Sequence, residues 1–259
     1  MYKQYAQNET DLTSMGAGAK ADQWENVWRQ HPFGSDRQVA KLANTPQWRA
    51  MTPWITQGAS VLEAGCGLGT WVRFFKQRGL NPTGIDFSVE TVGRLKQEFK
   101  ELSWDVGDIT ELPYASDSFD LLVSWGVIEH FEEGPMEAIN EMFRVVRPGG
   151  HAFFTVPWLS PYRLKHGYSN PGSNLHEFPA DTEPKFAQYF MTKEELVGFV
   201  SEAGFTPIDV SLSSIKAKSL FPFWFRKSYP LATKILNRLM SPILPNSLIA
   251  SMVLVVARK

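Results

Sequence analysis

Val61-Leu62-Glu63-Ala64-Gly65-Cys66-Gly67-Leu68-Gly69 runs from an apolar stretch into glycines at alternate positions, and a helical pattern over 70–77 follows directly. A buried strand ending in such a turn lets backbone N–H groups approach a ligand closely at a helix start. A dinucleotide fingerprint needs its third glycine three residues after the second. That position is Thr70, so the spacing for NAD fails. No Lys-Ser or Lys-Thr follows the glycines, which removes the phosphate loop as well.

Outward from this turn, apolar runs alternate with helical patterns. A strand over 60–64 precedes the glycines. After the helix come a strand over 82–85, a helix over 89–99 and a strand over 102–106. A further strand spans 119–124, then Ile139, Met142, Phe143 and Val146 share a helix face, Pro148-Gly149-Gly150 breaks it, and a strand follows over 151–156. This βαβ rhythm predicts an α/β fold with a mostly parallel sheet. Thr192 and Glu195 form a capping box for a helix that Gly204 ends, with final strands over 205–212 and 248–257. Trp24, Val27 and Trp28 at helical spacing, and Pro46 ahead of Trp48 and Trp54, predict short helices in the first sixty residues.

The length of 259 residues suits one such domain. Residues 1–58 are expected to form an N-terminal helical lid segment and 59–259 the domain, with insertions at about 157–190 and 220–245. The first insertion is rich in proline and aromatic residues, and a loop of that length in a compact domain is usually functional, so it is read as a substrate cap. Hydrophobic residues at 43% and charged residues at 20% describe a globular chain. The single cysteine excludes an intrachain disulfide, and no Cys and His cluster has zinc spacing; a reducing cytoplasm fits. The first twenty residues have no apolar core for a secretory signal, and Pro242 and Pro245 interrupt the uncharged stretch over 239–257, so no transmembrane segment is expected.

The ordered motifs resemble those of the class I S-adenosylmethionine (SAM) dependent methyltransferases, over about 59–259. Glu63-Ala64-Gly65-Cys66-Gly67-Leu68-Gly69 is similar to their E/D-x-G-x-G-x-G motif, which would place Glu63, Gly65, Cys66, Gly67 and Gly69 at the cofactor. Gly84-Ile85-Asp86-Phe87-Ser88 ends the second strand, where the family holds both ribose hydroxyls with an acid; the resemblance assigns that role to Asp86, with Phe87 beside it. Gly107-Asp108-Ile109 matches the position where a carboxylate accepts the adenine amino group and the next residue lines the ring. Leu112-Pro113-Tyr114, Asp117-Ser118-Phe119-Asp120, Val127-Ile128-Glu129-His130 and Arg144-Val145-Val146-Arg147-Pro148-Gly149-Gly150 continue the likeness. Trp125 and Gly126 occupy the family's place beside the methionine part of SAM, although core packing explains Trp125 equally well. The resemblance implies a Rossmann-like seven-stranded sheet with the last strand antiparallel, and SAM as cofactor with S-adenosyl-L-homocysteine as product.

Methyl transfer from a sulfonium is an in-line displacement that needs a nucleophile held close in a dry pocket. Oxygen is the preferred acceptor atom, in which case a base takes its proton. His130 is the leading candidate, with a cofactor-lining role as the alternative, and His166, His176 and Glu177 of the cap stand behind it. No metal is expected. Tyr5, Trp24 and Trp28 are candidates for a lid. Nitrogen or carbon methylation, or a SAM-fold binding protein without chemistry, are the rival functions. The fourth strand reads Ser124-Trp125-Gly126-Val127 and not Asn/Asp-Pro-Pro-Tyr/Phe, which argues against a nucleic-acid substrate.

Residues 210–259 hold Lys216, Lys218, Arg226, Lys227, Lys234, Arg238, Arg258 and Lys259 and no acid, while the chain overall is at −1. Phe221-Pro222-Phe223-Trp224-Phe225-Arg226-Lys227 leads into Leu231, Ile235 and Leu239 at helical spacing. Such a basic amphipathic segment suits an anionic membrane surface, or else packs over the cap or in a dimer contact. Docking would put the enzyme at the inner face of a membrane and imply an amphiphilic acceptor such as a lipid-linked sugar, polyketide or quinone-like ring. The acceptor's identity and the oligomeric state stay open.

Overall fold

The computed structural model describes residues 1–6, 24–25, 28–161, 185–215, 231, 235 and 250–259. Seven strands form one sheet: β2 (Ser60–Ala64), β3 (Asn81–Asp86), β4 (Ser103–Val106), β5 (Phe119–Trp125), β6 (Val146–Pro157), β8 (Thr206–Ile215) and β9 (Ala250–Arg258). Their order is β4-β3-β2-β5-β6-β9-β8. β2 pairs in parallel with both β3 and β5, while β9 runs antiparallel between β6 and β8. This is the Rossmann-like sheet with an antiparallel last strand.

The central strands are buried on both faces, which is why β2 and β5 read as near-continuous apolar runs instead of alternating ones. One face carries α3 (Thr70–Gln77), whose Phe74 and Phe75 are fully buried against Val61, Leu121, Val123 and Phe153. The other carries α5 (Met136–Val145) and α6 (Lys193–Glu202), which pack Ile139, Met142, Leu196 and Val200 on Leu62, Leu122 and Phe154. Two short helices, α1 (Asp36–Ala40) and α2 (Pro46–Met51), precede the sheet, and α4 (Val89–Glu98) links β3 to β4. The capping box of α6 is present in full: Glu195 N donates to Thr192 Oγ1 at 3.2 Å, and Thr192 N to Glu195 Oε2 at 2.9 Å.

The chain leaves β2 toward β3 and β4 on one side, then crosses back to place β5 on the other. Their carboxyl ends diverge at that reversal and leave a crevice, where α/β sheets bind ligands.

Two expectations need correction. The N-terminal segment is not only helical: β1 (Tyr2–Ala6) pairs antiparallel with β7 (Lys185–Phe190), and β7 lies inside the stretch read as a cap loop. Short-range periodicity cannot reveal such a pairing, because each strand is completed by hydrogen bonds from a partner far away in sequence. The stretch also begins in order, with Trp158 bridged to Met191 and Met191 N donating to Pro157 O at 3.0 Å. His166, His176 and Glu177 lie outside the described residues, as does most of 220–245, where Leu231 and Ile235 are exposed. Among the described residues no helix is long and apolar enough to cross a membrane.

Candidate functional site

A cavity of about 390 Å³ occupies the crevice, within the range of small-molecule sites. The glycine turn supplies its floor through Glu63, Gly65, Cys66 and Gly67. Asp86 and Phe87 at the end of β3, and Asp108 and Ile109 after β4, form one side; Trp125, Gly126 and His130 after β5 form the other. Of the residues that the resemblance places at the cofactor, Gly69 alone does not line the cavity. It is buried at the N-cap of α3 with φ +67°, and a side chain there would start 2.4 Å from Trp104 Cη2. Its small size serves helix-to-strand packing.

The carboxyls are held by backbone donors. Asp86 Oδ2 accepts from Gly67 N at 2.8 Å and Oδ1 from Ser88 N at 3.0 Å, which ties the end of β3 to the glycine turn. Burial raises the Asp86 pKa despite these bonds. Glu63 accepts from Val72 N at 3.1 Å; burial pushes its carboxyl well up, and the neighbouring Asp86 charge adds to the rise. Asp108 Oδ1 accepts from Thr110 N and Oγ1, each at 2.8 Å. Among the described residues that line it there is no lysine or arginine. Three carboxyls with no local cation suit a ligand that carries positive charge and donates hydrogen bonds.

The opposite wall is aromatic. Trp71 of α3 tilts against Trp125 at 5.4 Å, and the buried Trp125 indole N–H has no partner. Trp24 stacks on Trp28 at 5.3 Å and meets His130 edge-on at 5.1 Å, while Trp28 lies over Gly67, 3.0 Å from where a Cβ would stand. This segment is tied to α4: Arg29 pairs with Glu90, and Arg94 Nη1 donates to Trp28 O at 3.1 Å. The side chain of Tyr5 lies outside the described residues. Leu68, Thr70, Trp71, Val127 and Phe131 also line it and were not singled out in the sequence. Leu68 and Val127 stand inside the quoted motifs and the other three lie within two residues of one, so proximity in sequence was the available signal.

His130 ends a 3-10 turn (Ile128–His130), and its Nδ1 lies 3.0 Å from Ala187 O of β7. A carbonyl only accepts, so Nδ1 carries the proton and Nε2 the lone pair. Burial drives the imidazole pKa down to about 4, with the Ala187 carbonyl opposing, so the ring is neutral near pH 7. Tyr189 Oη donates to Glu132 O at 2.7 Å, a second tie from β7 to this turn.

Residues 62–154 match a family model described as a methyltransferase domain. The chain is 32% identical over 132 residues to demethylmenaquinone methyltransferase of Renibacterium salmoninarum, covering 48% of this chain and 55% of that protein. It is 34% identical over 99 residues to malonyl-[acyl-carrier protein] O-methyltransferase of Pectobacterium atrosepticum, covering 38% of this chain and 39% of that one. The matches thus span about half or less of these relatives' length. Among solved structures, Burkholderia thailandensis 1,6-didemethyltoxoflavin-N1-methyltransferase, with bound 1,6-didemethyltoxoflavin and S-adenosylhomocysteine, superposes with TM-score 0.59 at 16% identity. That match covers 97% of this chain and 90% of the other and establishes likeness of fold.

Proposed function

We propose that this chain, whose residues 62–154 belong to the methyltransferase-domain family and form the heart of a class I SAM-dependent methyltransferase fold, transfers a methyl group from SAM to a small-molecule or lipid-linked acceptor. Oxygen is the acceptor atom in this proposal, in keeping with the O-methyltransferase named among the relatives. The carrying observation is the cavity at the strand reversal, walled by Glu63, Asp86 and Asp108 with no lysine or arginine among the described lining residues. SAM has a net positive charge, a ribose diol and an adenine amino group, and the donor and acceptor inventory of this wall is its complement.

SAM when bound supplies a methyl group on a sulfonium, so the hard chemistry belongs to the cofactor. Asp86 would accept from the ribose hydroxyls, since each of its oxygens keeps a lone pair beyond its backbone bond. Asp108 would accept from the adenine amino group with Ile109 against the ring, and Glu63, Gly65, Cys66, Gly67, Phe87 and Gly126 would complete the cradle. Trp125 offers its unpartnered N–H from the opposite wall. Trp24 and Trp28 cover the cavity and exclude water, which strengthens every polar contact inside. His130 would receive the acceptor's hydroxyl at Nε2 and orient its oxygen, because Nδ1 is committed to Ala187.

Docking on an anionic membrane through residues 220–245 belongs to the same proposal. It is supported by the exposure of Leu231 and Ile235 and by the basic residues around them in sequence. The test of the function is calorimetric titration with SAM, followed by incubation of a small-molecule and lipid extract with enzyme and SAM and mass spectrometry for products heavier by one CH₂. Absence of SAM binding by the folded protein refutes the proposal.

A further inference from the structure

Glu129 is the residue that the site as described leaves unexplained. It sits in the 3-10 turn between Ile128 and His130, is 2% exposed, and its Oε2 has no hydrogen-bond partner. Its Oε1 lies 3.4 Å from where a Cβ on Gly126 would stand, with Met252 Cε nearby. Gly126 lines the cavity, so its missing side chain leaves only a backbone's thickness between this carboxyl and the ligand space. A buried charge without a partner is costly, and proteins keep such a group neutral or supply a counter-charge.

Among the described residues none supplies a counter-charge. Beside Glu129, His130 is neutral and committed to Ala187. From β1, which covers β7, Lys3 faces Glu132 and the rings of Phe186 and Tyr189. Arg147 of β6 pairs with Asp120, and Arg258 of β9 stands opposite His151, both at the far end of the sheet. On β5, which carries no cation, the buried Ser124 hydroxyl is itself without a partner among the described residues. Burial accordingly lifts the Glu129 carboxyl to about 8, opposed only by its own backbone N–H.

We propose that Glu129 is a proton-linked counter-charge for the cationic part of the bound cofactor, giving its proton to solvent as SAM enters and taking it back when the charge departs. The inference rests on the proposed binding of SAM. Its chemistry is balanced: a neutral carboxyl and a cationic ligand become a carboxylate facing that cation, and one proton passes to the buffer. The partner is a positive centre of the ligand, either the sulfonium, which is lost on methyl transfer, or the ammonium, which S-adenosylhomocysteine retains.

The test is titration calorimetry of wild type and Glu129→Gln at pH 7 with SAM, and separately with S-adenosylhomocysteine, in two buffers of different ionisation enthalpy. A carboxyl with pKa about 8 is roughly nine-tenths protonated at pH 7, so wild type is expected to release nearly one proton more per SAM than Glu129→Gln. Glu63 and Asp86 are present in both proteins and cancel from the difference. An excess seen with SAM alone identifies the sulfonium as the partner, and an excess seen with both ligands identifies the ammonium. Glu129→Asp, which keeps a carboxyl, is expected to retain part of the release. Equal release from wild type and a folded Glu129→Gln overturns the inference while leaving SAM binding intact, and wild type that binds SAM without releasing a proton overturns it whatever the variants do. Failure of wild type to bind SAM removes the cofactor proposal and this one together.

Discussion

Replacing Gly69 by alanine separates its packing role from the cofactor role that the motif suggests. The new Cβ would stand 2.4 and 2.7 Å from Trp104 ring atoms and 3.0 Å from Leu95 Cδ2. Trp104 has nowhere to go: it is 3% exposed, its Nε1 donates to Phe99 O at 3.1 Å, and the same six-membered ring also lies against Gly84. Over-packing of this kind costs ~1–3 kcal/mol. The backbone at φ +67° adds ~1–2 kcal/mol for a residue with a Cβ. A combined loss of about 2–5 kcal/mol should lower the melting temperature by roughly 5–15 °C for a chain of this size. Thermal unfolding followed by circular dichroism measures the loss, and calorimetry well below the transition is expected to give an unchanged SAM affinity. An unaltered melting temperature would refute the packing role, and lost SAM binding in a protein of normal stability would return Gly69 to the cofactor.

Asp86→Ala is expected to weaken SAM about tenfold or more, since a hydrogen bond to a charged group contributes ~1.5–3 kcal/mol; calorimetry showing wild-type affinity in the folded variant removes the ribose role. His130→Ala should lower kcat about a hundredfold with little change in SAM affinity if Nε2 receives the acceptor's proton, and a loss in SAM affinity instead makes His130 a cofactor-lining residue. Because burial depresses the folded pKa of His130 to about 4, the unfolded chain binds the extra proton between that value and the ordinary imidazole value of 6.5. Stability should therefore fall as pH drops through that window, and less so in His130→Ala, as denaturant titrations at several pH values would show. Co-sedimentation with vesicles should need acidic lipid and decline with salt, and should weaken when Arg226, Lys227, Lys234 and Arg238 become Gln; wild type left in the supernatant with anionic vesicles at low salt ends the membrane proposal.

Much of the molecule was legible because its determinants are local. The helix over 70–77 coincides with α3, and the strand over 60–64 with β2, since both are set by contiguous periodicity and the glycines that separate them. Asp86 and Asp108 were singled out by resemblance to family motifs and fall at the end of β3 and just after β4, and the capping box of Thr192 and Glu195 is a local hydrogen-bonding pattern. The pairing of β1 with β7 was not legible, because two short strands 180 or so residues apart carry no mark of each other until the sheet brings them together. Tertiary structure likewise separated Gly69, pressed on Trp104, from Gly67, which faces the cavity, although the two stand in the same motif. It also distinguished the neighbours Glu129 and His130. Sequence names both as titratable, but only their surroundings lower one to about 4 and raise the other to about 8. Burial disfavours whichever form is charged, and the depth of burial and the absence of a counter-ion are properties of the folded chain.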